Sequence, residues 1–461
     1  MPSRLTFSSF AWDAWRAERR GYAAVMARQR ARLGRLVRFA RARSALYREL
    51  YQGMPLEIEH LGQLRPVTKQ QLMARFDDWV TDPRVGRAGV EAFLADKTLV
   101  GQRYLGRYTV FTTSGSTGES GICVHDAEAL TLYRALTLVR GWLPWMTPER
   151  LWPVLRQGAR VAGVFATGDH YASSGMLDLA RRRRPRPFNR VRVFSALSPL
   201  PELVQALNAF RPAELIAYPS ALLLLAEEQE AGRLAIRPAL VGSGGEWLDP
   251  TARRSIEATF GCRVRENYGV TEFGPLGWAC REASLHVSAD WAILEAVDEA
   301  YRPVPAGQAS YTTLLTNLAI RVQPIIRYDL GDSVTVRPDG CRCGSPFPAV
   351  RVVGRREETL YFRTPSGGEV ALLAIPLACV VYQTPGVRRC QVIQTGPAAL
   401  RVRLEARSGA DGQQTWEVAA GRLREYLTAH DLAHVGLEQA AEPPSPDPVS
   451  GKHRMVWSER G

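Results

Sequence analysis

The sequence predicts an α/β protein in two parts, and three observations carry that reading. Between residues 100 and 300, short apolar runs alternate with longer amphipathic stretches, the pattern of strands and helices in turn. Beyond Val353-Gly354-Arg355 the runs shorten around one long helical stretch, which marks a smaller α+β domain. Hydrophobic residues make up 46% of the 461, enough to fill more than one core. The predicted units are residues 1–353 and residues 354–461.

The elements follow in chain order. Residues 12 to 50 carry Trp12, Trp15, Tyr22, Val25, Leu33, Leu36 and Phe39 at helical spacings among many arginines. Such a basic helix can lie on a membrane, but packing on its own domain is the expectation here. Tyr108 to Thr112 alternates like a strand, and Ile122-Cys123-Val124 reads as the next one. Leu215 to Tyr218 is a short strand, and Pro219-Ser220 opens a helix to Glu230 with Ser220 near a cap position. Ala239-Leu240-Val241 is a buried strand that ends at Gly242-Ser243-Gly244-Gly245-Glu246. Leu248-Asp249-Pro250 then starts a helix to Phe260, and Arg263 to Asn267 is a strand. In the second unit, strands are expected at Leu372–Val381, Arg389–Gln394 and Leu400–Glu405, with a helix from Trp416 to His430. The proline-rich run from Pro443 to Pro448 predicts a stiff, exposed approach to Ser450-Gly451-Lys452.

Charge and composition narrow the function. The formal net charge is +13, and lysine occurs only at Lys69, Lys97 and Lys452, the other basic residues being arginine. An ammonium and a guanidinium are not interchangeable, so each lysine is a place where arginine did not suffice. The excess charge suits an acidic carrier protein or a phosphorylated ligand. Nucleic acid is not expected. The densest run, Arg181 to Arg184 with Arg186, lacks interleaved aromatics and reads as a solvated loop. No apolar run reaches transmembrane length and Met1 to Phe7 lacks a signal-peptide core, so a cytoplasmic protein without membrane association is expected. A monomer or a homodimer is equally compatible with the sequence.

The loop Thr113-Ser114-Gly115-Ser116-Thr117-Gly118 lies between two strands. Glycines let backbone amides approach an anion, and hydroxyls add donors, so the loop can hold a polyphosphate. A plain Gly/Ser turn is the alternative. A Walker loop is excluded, because Gly-Lys never appears in it. Further segments suit the same ligand. In Tyr268-Gly269-Val270-Thr271-Glu272, the tyrosine can stack on a base, the threonine can donate to phosphate and the glutamate can hold Mg²⁺. Asp332 in Arg327-Tyr328-Asp329-Leu330-Gly331-Asp332 can accept both hydroxyls of a ribose. Gly354-Arg355-Arg356-Glu357-Glu358 stands at the domain boundary, and Lys452 follows Ser450-Gly451 near the far end.

With TSGSTG (113–118), GGE (244–246), YGVTE (268–272), RYDLGD (327–332), GRREE (354–358) and SGK (450–452) in this order, the chain resembles the adenylate-forming superfamily of acyl-CoA synthetases. More narrowly it resembles the phenylacetate–CoA ligase branch. The resemblance implies a large N-terminal adenylation domain with mixed β-sheets and a small mobile C-terminal domain. It implies that Ser114, Gly115, Ser116, Thr117 and Gly118 wrap the β- and γ-phosphates of ATP. Gly244, Gly245 and Glu246 would line the adenine, and Tyr268 would stack on it. Thr271 would touch the α-phosphate and Glu272 would bind Mg²⁺. Asp332 would grip the ribose with Arg355 beside it, Glu357 would be the hinge, and Lys452 would bridge carboxylate and α-phosphate. Two departures stand out: Glu119-Ser120-Gly121 follows the loop where Lys and Pro are usual, and the hinge residue is Glu357 rather than Asp.

Seven cysteines in a chain read as cytoplasmic argue against a disulfide framework. Cys280, His286, Cys341 and Cys343 offer three thiolates and an imidazole, the donor set of a structural zinc site stapling two loops. Similar ligands in some members of the resembled branch support that reading. Reduced thiols and a surface histidine are the alternative.

The expected activity is ATP-dependent ligation of a small aromatic carboxylic acid to the thiol of coenzyme A, through an acyl-adenylate. Tyr218, Pro219 and Ser220, with Gly269 and Phe273, are the candidate slot for the acid. The alternatives are transfer to the phosphopantetheine of an acidic acyl carrier protein, AMP transfer without a thioester as in deazaflavin coenzyme synthesis, and a non-catalytic binding or scaffold protein.

Overall fold

A computed structural model describes residues 6–55, 58, 60–113, 121–182, 190–355, 358–372, 374–448 and 452–459. The N-terminal segment is helical, as its spacing predicts. Thr6 caps the helix Phe7–Arg19, the helix Gly21–Arg43 follows, and Ser44 caps Ala45–Leu50. Phe10, Ala14 and Ala17 are buried, as are Val25, Leu33 and Leu36. Trp12, Trp15 and Tyr22 point outward instead, with Trp12 stacked on Trp15 and the guanidinium of Arg19 over the Trp15 ring. Only one stripe of a packed helix can face the core.

The centre is a nine-stranded sheet. Five strands run parallel: Val191–Ser195, Val161–Phe165, Glu214–Ala217, Leu240–Gly244 and Val264–Val270, in that spatial order. The helices Ala172–Arg182, Leu200–Phe210, Pro219–Glu230 and Pro250–Phe260 connect them. The sheet continues antiparallel through Gly274–Ala279, Leu285–Val287, Ala349–Arg355 and Asp332–Val336. A three-stranded antiparallel sheet, Ala292–Val297, Thr312–Asn317 and Ile325–Asp329, packs into the same core as the N-terminal helices. The expected hairpin is present: Thr109–Thr112 pairs with Ile122–His125.

Several expectations are corrected here. Pro219, not Ser220, opens the helix Pro219–Glu230, with Tyr218 at the cap, so the Ser220 hydroxyl is free for another partner. The strand expected to end before Gly242 runs on to Gly244. Leu372 to Val381 is not a strand: Glu369–Leu372 ends a hairpin and Ala374–Tyr382 is a helix. Ala374, Leu377, Ala378 and Val381 are buried at helical spacing, which decides a run whose apolar content fits either element. Arg181 and Arg182 end a helix rather than enter a loop, and residues 183–189 lie outside the described ones.

From Leu360 onward the chain builds a core of its own, which among the described residues includes none before Leu360. The sheet there runs Gly436–Gln439, Ala399–Ala406, Val387–Gly396, Val456–Ser458, with the helices Ala374–Tyr382 and Gly412–Thr428 against it. The tail is exposed at Pro443, Ser445, Pro446 and Pro448, as expected, and anchored at one point. Pro444 is buried, and Gln391 accepts from the Ser445 amide while donating to the carbonyls of Ser445 and Arg454. The last strand, Val456–Ser458, pairs parallel with the sheet and carries Lys452 back toward the large sheet. Among the described residues, no helix is long and apolar enough to cross a membrane.

Candidate active site

A cavity of about 250 Å³ opens beyond the carboxyl ends of Leu240–Gly244 and Val264–Val270, where the sheet passes from parallel to antiparallel. Open α/β sheets hold ligands outside strand carboxyl ends, because helix starts and loops diverge there. The walls bring together Gly245, Glu246, Tyr268, Gly269, Thr271, Glu272, Asp332, Arg355 and Lys452. These come from five separate stretches of chain.

Pairing fixes the acidic edge. Asp332 and Arg355 are direct cross-strand partners, with Arg355 Nε 3.3 Å from Asp332 Oδ1. The Tyr268 hydroxyl donates to Asp332 Oδ2 at 2.6 Å, and burial pushes that phenol well above its ordinary range. Glu272 is buried, which raises its carboxyl pKa, and the Tyr328 hydroxyl bonds to it. Its backbone is held by Asn317 Nδ2, which donates to the Glu272 carbonyl at 2.7 Å. The Thr271 carbonyl accepts from His125 Nε2 at 2.9 Å, so the proton sits on that nitrogen. Burial lowers His125 to about 4 and keeps it neutral.

Lys452 is half-buried near several carboxylates. Desolvation and the nearby Arg355 lower its pKa, while Glu246, Glu358 and Asp332 act the other way. Glu246 lines the cavity and is also a junction. Its carboxylate accepts from the Ser220 amide and hydroxyl, each at 3.0 Å, and from the His453 amide at 2.8 Å. Gly245 is required beside it: φ is +85°, and an added Cβ would stand 3.0 Å from the Tyr218 ring.

The candidate acid slot is only partly assembled. Tyr218 is buried behind Gly245, edge-on to Phe165 at 5.1 Å between ring centroids. Gly269 lines the cavity; Pro219 and Ser220 form the helix start under Glu246. Phe273 does not reach the cavity and packs in the core on Tyr133, with ring centroids 4.9 Å apart. Gly244 lies one residue outside the cavity wall, its Cα against the Asn267 backbone. Ser114, Gly115, Ser116, Thr117, Gly118, Glu119, Glu357, Ser450 and Gly451 lie outside the described residues.

Sequence reasoning missed Trp247, Asn267, Glu358 and His453, which also line the cavity. It also missed Lys69. A bridge between Val67 and Tyr328 carries the chain past the strand Ile325–Asp329, and Thr68 then caps the helix Lys69–Ala74. This places Lys69 in a small cavity with Gly121, Cys123, Glu272 and Tyr328. The loop's mouth is tied there: the Thr113 amide donates to the Gly121 carbonyl at 2.9 Å, and the Gly121 amide to Thr113 Oγ1 at 2.7 Å. The rarity of lysine is the signal that could have found Lys69.

The four metal-ligand candidates are brought together. The donor atoms of Cys280, His286, Cys341 and Cys343 all lie within 4.8 Å of one another. Cys280 Sγ is 3.7 Å from Cys341 Sγ, and Cys343 Sγ is 3.3 Å from His286 Nε2. A tetrahedron with Zn–S near ~2.3 Å and Zn–N near ~2.0 Å has S···S edges of about 3.8 Å and S···N edges of about 3.5 Å. The residues therefore fit the ion in number, chemistry and spacing. His286 Nδ1 donates to the Phe347 carbonyl at 2.9 Å, which leaves the Nε2 lone pair facing the thiols.

No family model matches the sequence, and no curated protein matches it. Solved structures do. A 2-hydroxyisobutyryl-CoA ligase, crystallised in the post-adenylation state with 2-HIB-AMP, superimposes with a TM-score of 0.68 at 20% identity, over 95% of this chain and 90% of that one. The fold is that of the adenylate-forming ligases. An anthranilate CoA ligase, AuaEII, in complex with anthranoyl-AMP superimposes at 0.51 and 17% identity, over 75% of this chain and 64% of that one. The 2-hydroxyisobutyryl-CoA ligase was crystallised in more than one state, and the scores differ between them. The 2-hydroxyisobutyryl-CoA ligase scores 0.55 in an open conformation and 0.56 in its thioesterification state. This chain thus superimposes better on the post-adenylation form than on those two.

Proposed function

We propose that this chain is an ATP-dependent acid–thiol ligase that adenylates an aromatic carboxylic acid and passes the acyl group to coenzyme A. One observation carries the proposal: Lys452, delivered by the C-terminal tail, shares a cavity with Thr271, Glu272, Tyr268, Asp332 and Arg355. The carboxylate oxygen attacks the α-phosphorus of ATP, a P–O bond forms, and pyrophosphate leaves. Two anions must meet for this, and negative charge builds on the α-phosphate. A preorganised cation aimed at that charge is worth on the order of 10²–10³ in rate. Lys452 supplies that cation, Asp332 and Tyr268 position the nucleotide, and Thr271 donates to the α-phosphate. Glu272 would hold Mg²⁺, which offsets phosphate charge. We assign Lys69 the place of the missing loop lysine, beside the β- and γ-phosphates. In the second step the thiol displaces AMP from the acyl-adenylate, giving thioester and a released proton.

The smaller unit, residues 354–461 in our assignment, would turn about Glu357 between the two steps, because one face cannot hold both pyrophosphate and thiol. The aromatic preference rests on the resemblance to phenylacetate–CoA ligases and on the Tyr218–Phe165 wall behind Gly245. We further propose a structural zinc at Cys280, His286, Cys341 and Cys343; four protein ligands leave no open position for catalysis. The test is acid-dependent exchange of labelled pyrophosphate into ATP across aromatic and aliphatic acids, followed by mass detection of the CoA thioester. Absence of exchange with every acid would overturn the ligase reading.

A further inference from the structure

We propose that Glu246 is a positioning residue: it latches the Lys452 segment into the adenylating position and lets it go for the second step. The inference rests on the ligase reading above. Its ground is the set of partners around one half-buried carboxylate. Two donors, the amide and hydroxyl of Ser220, come from the start of the helix Pro219–Glu230. The third, the His453 amide, comes from the residue after Lys452. The first amides of a helix have no partner within it, so Ser220 holds the carboxylate whether or not the tail is docked. The carboxylate therefore waits as a preformed acceptor, and docking of the tail completes it. A hydrogen bond one residue from Lys452 fixes the backbone that aims its side chain. The opposite charge of Lys452 beside Glu246 adds to the same docked arrangement.

A second contact uses the same helix. Glu227, two turns on from Ser220, is bridged by Arg388, whose Nε stands 2.7 Å from Glu227 Oε1, and Arg388 also pairs with Glu405. That pair is partly exposed and screened by salt, whereas Glu246 gathers three donors, one of them next to Lys452. The helix Pro219–Glu230 is thus a docking rail whose decisive contact is Glu246. The better superposition on a post-adenylation structure than on a thioesterification one agrees with this arrangement.

The test uses full-length Glu246→Gln and Ser220→Ala. A glutamine turns one acceptor oxygen into a donor facing amide donors, so the latch fails while side-chain volume is kept. Hydrogen bonds to a charged group of this kind are worth about ten- to a hundredfold. Glu246→Gln should lower kcat for pyrophosphate exchange by that factor with KM for ATP little changed, and Ser220→Ala by less. A simple adenine contact would raise KM instead, and that result overturns the proposal. So does an equal loss in exchange and in thioester formation from supplied acyl-adenylate. Hydrogen exchange, read by mass spectrometry on the peptide holding His453, gives a measure free of activity. The amide should lose protection in Glu246→Gln while the Val387–Gly396 strand keeps its own. Unchanged protection at His453 refutes the latch even in an inactive protein. Wild type without pyrophosphate exchange but with a Glu246-dependent amide refutes the ligase reading alone.

Discussion

Replacing Cys343 by serine tests the proposed metal centre with little disturbance of packing, because Cys343 is the exposed one of its three thiols. A serine oxygen is a poor zinc ligand, so the tetrahedron loses one corner. The ion would link His286 to Cys341 across about 55 residues of chain, and the chain-entropy model for a cross-link values such a loop at about 4 kcal/mol at most. The Leu285–Val287 strand already pairs with Ala349–Arg355, so the native positions need no rearrangement to reach the ion. Purified wild type should carry about one zinc per chain, and Cys343→Ser less than about a tenth of that. Thermal unfolding should shift down by several degrees in the variant, and a chelator should move wild type to the variant's midpoint. Wild type that is folded, metal-free and indifferent to chelator refutes the reasoning.

Other consequences follow from the site. Lys452→Met keeps the stem and removes the charge; pyrophosphate exchange should fall by about 10²–10³ while thioester formation from supplied acyl-adenylate falls far less. Equal losses in the two assays would contradict its role. Lys69→Met should raise KM for ATP by about tenfold, and Lys69→Arg should not restore it, since a planar guanidinium does not replace a compact ammonium; steady-state kinetics with varied ATP decides. His125 is buried and neutral, held near about 4 against an ordinary 6.5. The unfolded chain therefore binds a proton that the fold refuses as pH drops from 6.5 to 4, and stability present above 6.5 is lost across that window, by up to about 3 kcal/mol. Urea midpoints of wild type minus His125→Gln should fall over that window; a constant difference would sink the assignment.

Much of the site was legible before folding. Tyr268, Thr271, Glu272 and Asp332 were named from residue type and meet in one cavity, whereas the expected phosphate loop lies outside the described residues. The four zinc candidates were legible because three thiols and an imidazole are the donor set of a structural zinc site, and the structure brings them together. What failed did so for identifiable reasons. Leu372 to Val381 is apolar throughout, so periodicity could not separate strand from helix, and packing on its core decided. Phe273 looked like a ring for the slot because it follows Glu272. It sits instead in the turn between Val264–Val270 and Gly274–Ala279, where it packs into the core on Tyr133.

By itself the sequence determined the alternation of strands and helices, the change of character near residue 354, and the donor types that a nucleotide and a metal require. Only the tertiary structure decided which of them meet. Lys69 comes to Gly121 through a bridge between Val67 and Tyr328, and Glu246 turns to Ser220 and the His453 amide. Neither is visible in local pattern. Residue type and spacing report on a few turns of chain, whereas a carboxylate's partner is chosen by which strands pair across hundreds of residues.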